Sequence, residues 1–344
     1  MRRFNFFFAV LFLALVLSPI PAPTKEALPK TVSIATHSIG AFFHTTGVAA
    51  AKVISERTKM RAIVKPMSGP VAWFPYLERG DVDLGVLNMW DAEKGYLGES
   101  MYEKLSQKKG FSIGLVCMTV PNAIGFVVAK DGGIKTIADL KGKRVAANYP
   151  TPSIQLQTEA ALANANLTIH DVISVPANSP PAGVSLITNG RADASSVTVG
   201  TPAVDELKAK RGALFLSFDP SREAVERMRK FYPGYMVTVT PGPGRTGIEK
   251  ETNLWAYDTY LVARTNFSDE AVYTITKALW ENYKDLGSVH QLLKNWQPST
   301  FISKNAIIPF HPGAIRFYKE KGVWTREMEA LQRELLAKKK KETP

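Results

Sequence analysis

The sequence predicts an α/β protein of two lobes of similar plan, each built on a mainly parallel sheet. Strand-length and helix-length apolar patterns alternate along the chain, which is the signature of parallel strands joined by covering helices. A short signature also recurs. Leu77-Glu78-Arg79-Gly80-Asp81-Val82-Asp83 is echoed by Ile187-Thr188-Asn189-Gly190-Arg191-Ala192-Asp193, each time where a helix runs into a strand, and one offset separates both the glycines and the final aspartates. The chain has 344 residues, 45% of them apolar and 22% charged, a globular balance long enough for about two domains.

In the first pass, Thr31–Thr36 reads as a buried strand, 42–57 as a helix, 61–66 as a strand, 70–79 as a helix and 82–88 as a strand. The second pass repeats the order, with strand 143–148, helix 153–164, helix 182–189 and strand 192–199. Farther on, Asn253 to Ala263 reads as one strand. Gly80 and Gly190 suit helix C-termini, where glycine accepts a left-handed backbone.

Met1-Arg2-Arg3 followed by the apolar run Phe4 to Leu17 and a small-residue stretch to Pro23 has the layout of a secretory signal peptide, assigned to 1–22. The run is shorter than the roughly 20 residues needed to span a bilayer, so cleavage is favoured over anchoring. The single cysteine, Cys117, excludes an internal disulfide and a cysteine-based zinc site, and its apolar setting suits a buried residue. The formal charge of +12 comes from 43 Lys+Arg against 31 Asp+Glu. Arg2 and Arg3 fall in the signal peptide and Lys338 to Lys341 in a basic tail (331–344); the rest is dispersed, unlike a nucleic-acid footprint.

Ligands of open α/β sheets bind where strands hand over to helix N-termini. Five loops qualify: His37-Ser38-Ile39-Gly40, Ser68-Gly69, Asn88-Met89-Trp90-Asp91, Asn148-Tyr149-Pro150-Thr151-Pro152-Ser153 and Thr198-Val199-Gly200-Thr201-Pro202. Ser38, Ser153 or Thr201 alone is accounted for by helix capping. All five loops at one end of two lobes favour a cleft. Trp90 and Tyr149 are placed to wall it, and packing accounts for either one equally.

Catalytic patterns are weak. His37, His44, His170, His290 and His311 show no metal spacing, and Asp81 and Asp83 read as solvated acids. Gly242-Pro243-Gly244-Arg245-Thr246-Gly247 matches GxGxxG literally, but a strand pattern follows where a dinucleotide site needs a helix, which leaves a loop carrying Arg245. No metal, cofactor or enzyme activity is expected.

Several stretches in order, SIATHSIGAFF, LERGDVDLGV, ADLKGKRVA (Ala138 to Ala146), DEAVYTITKALWEN (Asp269 to Asn282) and above all PFHPGAIRFYKEKGVW (Pro309 to Trp324), resemble the TAXI family of solute receptors of TRAP transporters. The resemblance runs from about Thr31 to Trp324. It implies a two-lobed periplasmic binding protein fold with lobe 1 at 31–120 plus 241–330, lobe 2 at 121–240, and crossovers near Val120 to Asn122 and Tyr235 to Pro241. It also implies a monomeric receptor in the periplasm that closes on a small organic anion or amino-acid-like solute and delivers it to a TRAP membrane subunit. Ser38, Ser68, Asn148, Ser153 and Thr201 are then anion donors, Asn88 and Asp91 orient a polar group, and Phe43, Trp90 and Tyr149 pack against the solute. His37, Thr198 and Arg245 complete the expected site. The HPGA segment is expected to be structural or transporter-facing. Departures from the family pattern, such as Thr36-His37-Ser38-Ile39-Gly40 in place of Thr-Gly-Ser with paired glycines, fall in the ligand loops. An ABC-transporter binding protein, an exported enzyme on the same scaffold and a sensor-coupled receptor remain as alternatives.

Overall fold

The computed structural model describes residues 27–342, so the signal-peptide assignment lies outside the described residues. The chain enters lobe 1 through β1 (Thr31–Thr36), α1 (Phe42–Arg57), β2 (Arg61–Pro66), α2 (Pro70–Arg79), β3 (Leu84–Asn88), α3 (Met89–Leu97), α4 (Tyr102–Leu105) and β4 (Ile113–Met118). Lobe 2 follows, with β5 (Asn122–Ala129), β6 (Arg144–Ala147), α5 (Pro152–Ala163), β7 (Ile173–Pro176), α6 (Pro180–Thr188), β8 (Ala194–Thr198), α7 (Ala203–Arg211), β9 (Ala213–Phe215), α8 (Arg222–Arg229), β10 (Tyr235–Val239) and β11 (Thr252–Tyr257). The chain then returns to lobe 1 with β12 (Thr259–Arg264), α9 (Asp269–Glu281), α10 (Tyr283–Leu286), α11 (Pro312–Glu320) and α12 (Arg326–Glu342). No helix of the described residues is long and apolar enough to cross a membrane.

The lobe 1 sheet has the order β2-β1-β3-β12-β4, and the lobe 2 sheet β10-β11-β5-β8-β6-β7 with β9 beside β5. Both are mixed rather than mainly parallel. The strands of the repeated pass, β1 with β2 and β3, and β6 with β7 and β8, do pair in parallel. The antiparallel pairs all involve the strands that cross between the lobes and their neighbours, such as β12 on β3 and β4 and β11 on β5. A chain that leaves one sheet and returns to it threads those strands in the opposite direction.

The recurring signature has one physical job in both lobes. Gly80 and Gly190 take the left-handed conformation (φ 82° and 68°) that ends a helix and starts a strand. Three residues on, Asp83 accepts from the Ser33 backbone N–H and pairs with Arg264, while Asp193 accepts from the Arg144 backbone N–H and pairs with the Arg144 guanidinium at 2.6 Å. Each aspartate therefore pins the strand that follows it to the first parallel strand of its lobe, β1 or β6. Asp83 is a half-buried structural anchor, not a solvated acid.

Two boundaries differ from the sequence reading. The run Asn253 to Ala263 is two strands, because Asp258 breaks it and sends β11 and β12 into different sheets. The return crossing therefore falls at Asp258 instead of Tyr235 to Pro241. Asp258 is held there by its carbonyl, which accepts from Met89 N–H, and by its carboxylate, which accepts from Tyr235 OH. At the C-terminus, α12 replaces the expected tail. Met328 and Leu335 are buried, Gln332 bonds both backbone groups of Phe310, and Lys339 donates to the Phe111 carbonyl over the Tyr96 ring. Cys117 is fully buried in β4, and burial pushes its thiol pKa up out of the reactive range.

Candidate functional site

A narrow cavity of about 30 Å³, open to solvent on one side, lies between the lobes. Lobe 1 lines it with His37, Ser38, Ala41, Phe42, Phe43 and Ser68 from the loops that open α1 and α2. Lobe 2 contributes Ile154 and Gln157 of α5, Ser179 to Pro181 at the start of α6, Val197, Thr198, Thr201 and, from the end of β11, Tyr257. No lysine, arginine, aspartate or glutamate is among these lining residues.

The helix starts around the cavity supply its polarity. The first four N–H groups of a helix have no partner within the helix. α3 and α6 handle this in the ordinary way: Asn88 caps α3 by accepting from Asp91 N–H, and Ser179, itself in the cavity wall, caps α6 by accepting from Ala182 N–H. At α1, α2 and α5 the N-cap residues are Ala41, Gly69 and Thr151, and none of them supplies a side-chain cap. Ala41 and Gly69 have no side-chain acceptor. Thr151 has one, but its hydroxyl crosses the cleft and donates to the Ser68 carbonyl at 3.0 Å. Uncapped N-termini beside a cavity are an anion-binding arrangement that needs no cationic side chain.

His37 adds a second polar element. It is 4% exposed, stacks on Phe43 with ring centroids 4.4 Å apart, and its Nε2 has no hydrogen-bond partner within the protein. Burial lowers its pKa from 6.5 to about 4, so the imidazole is neutral at pH 7. Its linkage to stability has a definite sign. The unfolded imidazole takes up a proton near 6.5 and the folded one only near 4, so unfolding is favoured progressively as pH falls through that window. Relative to His37→Gln, the wild-type protein should lose about 3 kcal/mol of stability between pH 7 and pH 4. Urea titrations of both proteins at the two pH values measure it, and parallel losses would refute the neutral assignment.

Of the residues the sequence pointed to, the structure brings His37, Ser38, Phe43, Ser68, Thr198 and Thr201 together around the cavity. Asn88, Asp91 and Ser153 meet beside it, engaged with one another: Asp91 accepts from Asn88 Nδ2 at 2.6 Å, Tyr102 OH at 2.8 Å and Ser153 Oγ at 2.7 Å. Trp90 packs on Tyr232 of lobe 2, centroids 6.3 Å apart, along the same seam. Asn148 and Tyr149 stand elsewhere. Asn148 is an exposed turn residue at φ 55°, and Tyr149 is buried within lobe 2 with its hydroxyl on Ser195 Oγ, packed with Ala146, Ile154 and Ala177. Arg245 lines an adjoining cavity, which shares Phe42 and Thr198 with the first, and bonds Thr240 of its own loop through Nη1. The GxGxxG stretch that carries it leads into β11, a strand.

The sequence reading missed Phe42, Gln157, Ser179 to Pro181 and Tyr257. One of these was detectable: Ile173-Ser174-Val175 is a short strand pattern, and Ser179-Pro180-Pro181 after it is a helix start of the same kind as the five loops chosen.

Residues 34–322 match the NMT1-like family. The chain belongs to that family. Among solved structures it is similar to PhnD1 from Prochlorococcus marinus in complex with methylphosphonate, at 12% identity over 86% of this chain and 99% of that one, with a TM-score of 0.51. It is also similar to the alkanesulfonate-binding protein SsuA from Xanthomonas axonopodis pv. citri bound to MOPS, at 14% identity over 88% and 96% of the two chains, TM-score 0.48. This NMT1-like protein thus has the two-lobed α/β fold of solute-binding proteins.

Proposed function

We propose that this NMT1-like protein is an exported receptor that closes its two lobes on a small organic anion, a carboxylate being the first class to test, and delivers it to a TRAP transporter membrane subunit in the periplasm. The observation that carries the binding reading is the interlobe cavity, onto which α1, α2 and α5 open without side-chain caps and whose walls hold no ionic side chain. An anion there gains N–H donors and the positive ends of helix dipoles, each worth up to about 2 kcal/mol in a partly buried setting. Phe42, Phe43, Ile154, Pro180 and Tyr257 offer apolar surface to the body of the solute. Contacts from both lobes coexist only when the cleft is shut, so the solute shifts the population toward the closed form. The transporter assignment is supported by the Pro309 to Trp324 stretch and its ordered companions.

Isothermal calorimetry with straight-chain carboxylates, alkanesulfonates, alkylphosphonates, neutral sugars and amines tests the ligand class. The expected result is saturable binding of at least one acid in the micromolar range or tighter. Binding of a neutral or cationic compound with no acid bound would overturn the anion reading.

A further inference from the structure

Asp91 lies in the seam between the lobes, and its position raises a problem that the cavity does not explain. The residue is 0% exposed, yet the groups that face it are all neutral: Asn88 from its own lobe, Tyr102 of α4, and Ser153, Tyr232 and Tyr257 from lobe 2. Burying a carboxylate without a cation is costly even when it is hydrogen-bonded. Its place in the first turn of α3, where the helix dipole favours a negative charge, offsets only part of that cost. The cost depends on lobe position, because Ser153 belongs to α5 in lobe 2 and leaves with it, admitting water to the carboxylate.

We propose that Asp91 and Ser153 form a closing latch, with Asp91 the positioning residue that receives the start of α5 across the cleft. The proposal rests on the two-lobed receptor reading and deepens it. In the closed form the Ser153 hydroxyl donates to Asp91 Oδ2 at 2.7 Å, two residues from Thr151, whose own hydroxyl reaches Ser68. These two bonds seat the α5 N-terminus at the edge of the cavity, with Ile154 and Gln157 facing the solute. Asp91 is sealed by its three donors and stands beside the cavity, so it acts on capture through α5 rather than by touching the solute. The charge keeps the latch conditional: the desolvation it suffers on closing opposes shutting an empty cleft, and the Ser153 bond offsets part of that opposition.

The latch couples closure to protons with a fixed sign. Burial raises the Asp91 pKa in the closed form, while in the open form water restores the carboxylate toward its ordinary range. The closed form therefore binds the proton more tightly, and closure is favoured as pH falls.

Single-molecule energy transfer on the ligand-free protein tests this. Ile63→Cys on β2 and Ile173→Cys on β7 place dyes on opposite lobes at exposed positions (40% and 57%), while Cys117, at 0% exposure, stays unlabelled. Ser153→Ala should lower the closed-to-open ratio about tenfold with little change in Tm. Asp91→Asn removes the charge but keeps a neutral acceptor for Ser153, so its closed fraction at pH 7.5 should exceed the parent's and lose the rise that the parent shows toward pH 5. His37 responds to acid in the opposite sense but is common to both proteins. A ratio unaffected by Ser153→Ala, or the same pH profile in Asp91→Asn as in the parent, overturns the latch. Neither result depends on which solute binds, so a failed anion panel and a failed latch are separate outcomes.

Discussion

Replacing Gly69 by valine should hold the cleft open and weaken capture of the best-binding acid about a hundredfold or more, equivalent to roughly 2.7 kcal/mol. Gly69 ends the lobe 1 loop that meets Thr151 of lobe 2, and a Cβ there would lie 2.8 Å from Thr151 Oγ1 and 3.2 Å from its Cγ2. Its backbone, at φ 151° and ψ −173°, occupies a region that is essentially glycine-only, so valine adds local strain of about 1–3 kcal/mol as well. The strain lowers Tm by a few degrees, whereas the wedge acts only on the closed form. Calorimetry and thermal unfolding of Gly69→Val separate the two effects. Unchanged affinity in a folded variant would show that the lobes need not approach this closely to bind.

Gly313→Val should act on the fold rather than the cleft, lowering stability by about 3 kcal/mol or more in urea unfolding. Gly313 sits in the first turn of α11, where a Cβ would be 2.3 Å from the Asp269 carbonyl oxygen and 3.0 Å from Tyr273 N. These are backbone atoms of α9 and its start, and they cannot swing aside. Neighbouring residues explain the rest of the motif. His311 is fully buried and caps α11 by accepting from Gly313 N–H, its own N–H donates to the Leu115 carbonyl in β4, and Tyr318 OH donates to Val116 O. The HPGA segment thus ties α11 to α9 and to the edge of the lobe 1 sheet. A urea midpoint within error of the parent would contradict this packing.

Much of the scaffold was legible because local pattern and tertiary environment agree. β1, α1, β2 and α2 fall on the residues that the apolar periodicities mark, and the Gly80 and Gly190 signature marks equivalent corners of the two lobes. The mixed pairing was not legible, since strand direction depends on which lobe the chain occupies and a buried strand reads the same either way. Asp258 shows the difficulty well: inside an apolar run one acid looks like a tolerated interruption, yet it is where the chain changes sheets. The cavity wall was legible at the level of loops. Of the residues at the strand-to-helix junctions, His37, Ser38, Phe43, Ser68, Thr198 and Thr201 line the cavity. What sequence could not supply was the partner of each polar side chain. Ser153 and Asn88 look like ligand donors until Asp91 is seen to accept from both, and Tyr149 looks like a cleft aromatic until its hydroxyl is found on Ser195.

The most direct test of the account is a crystal structure of the protein purified without denaturation, so that a solute captured in the cell stays bound. The account predicts a small molecule between the lobes, with an acidic group within hydrogen-bonding distance of backbone N–H groups at the starts of α1 and α5, and with its apolar part against Phe42, Phe43 and Tyr257. A solute whose group at those helix starts is neutral or cationic, or one bound outside this cavity, would contradict it.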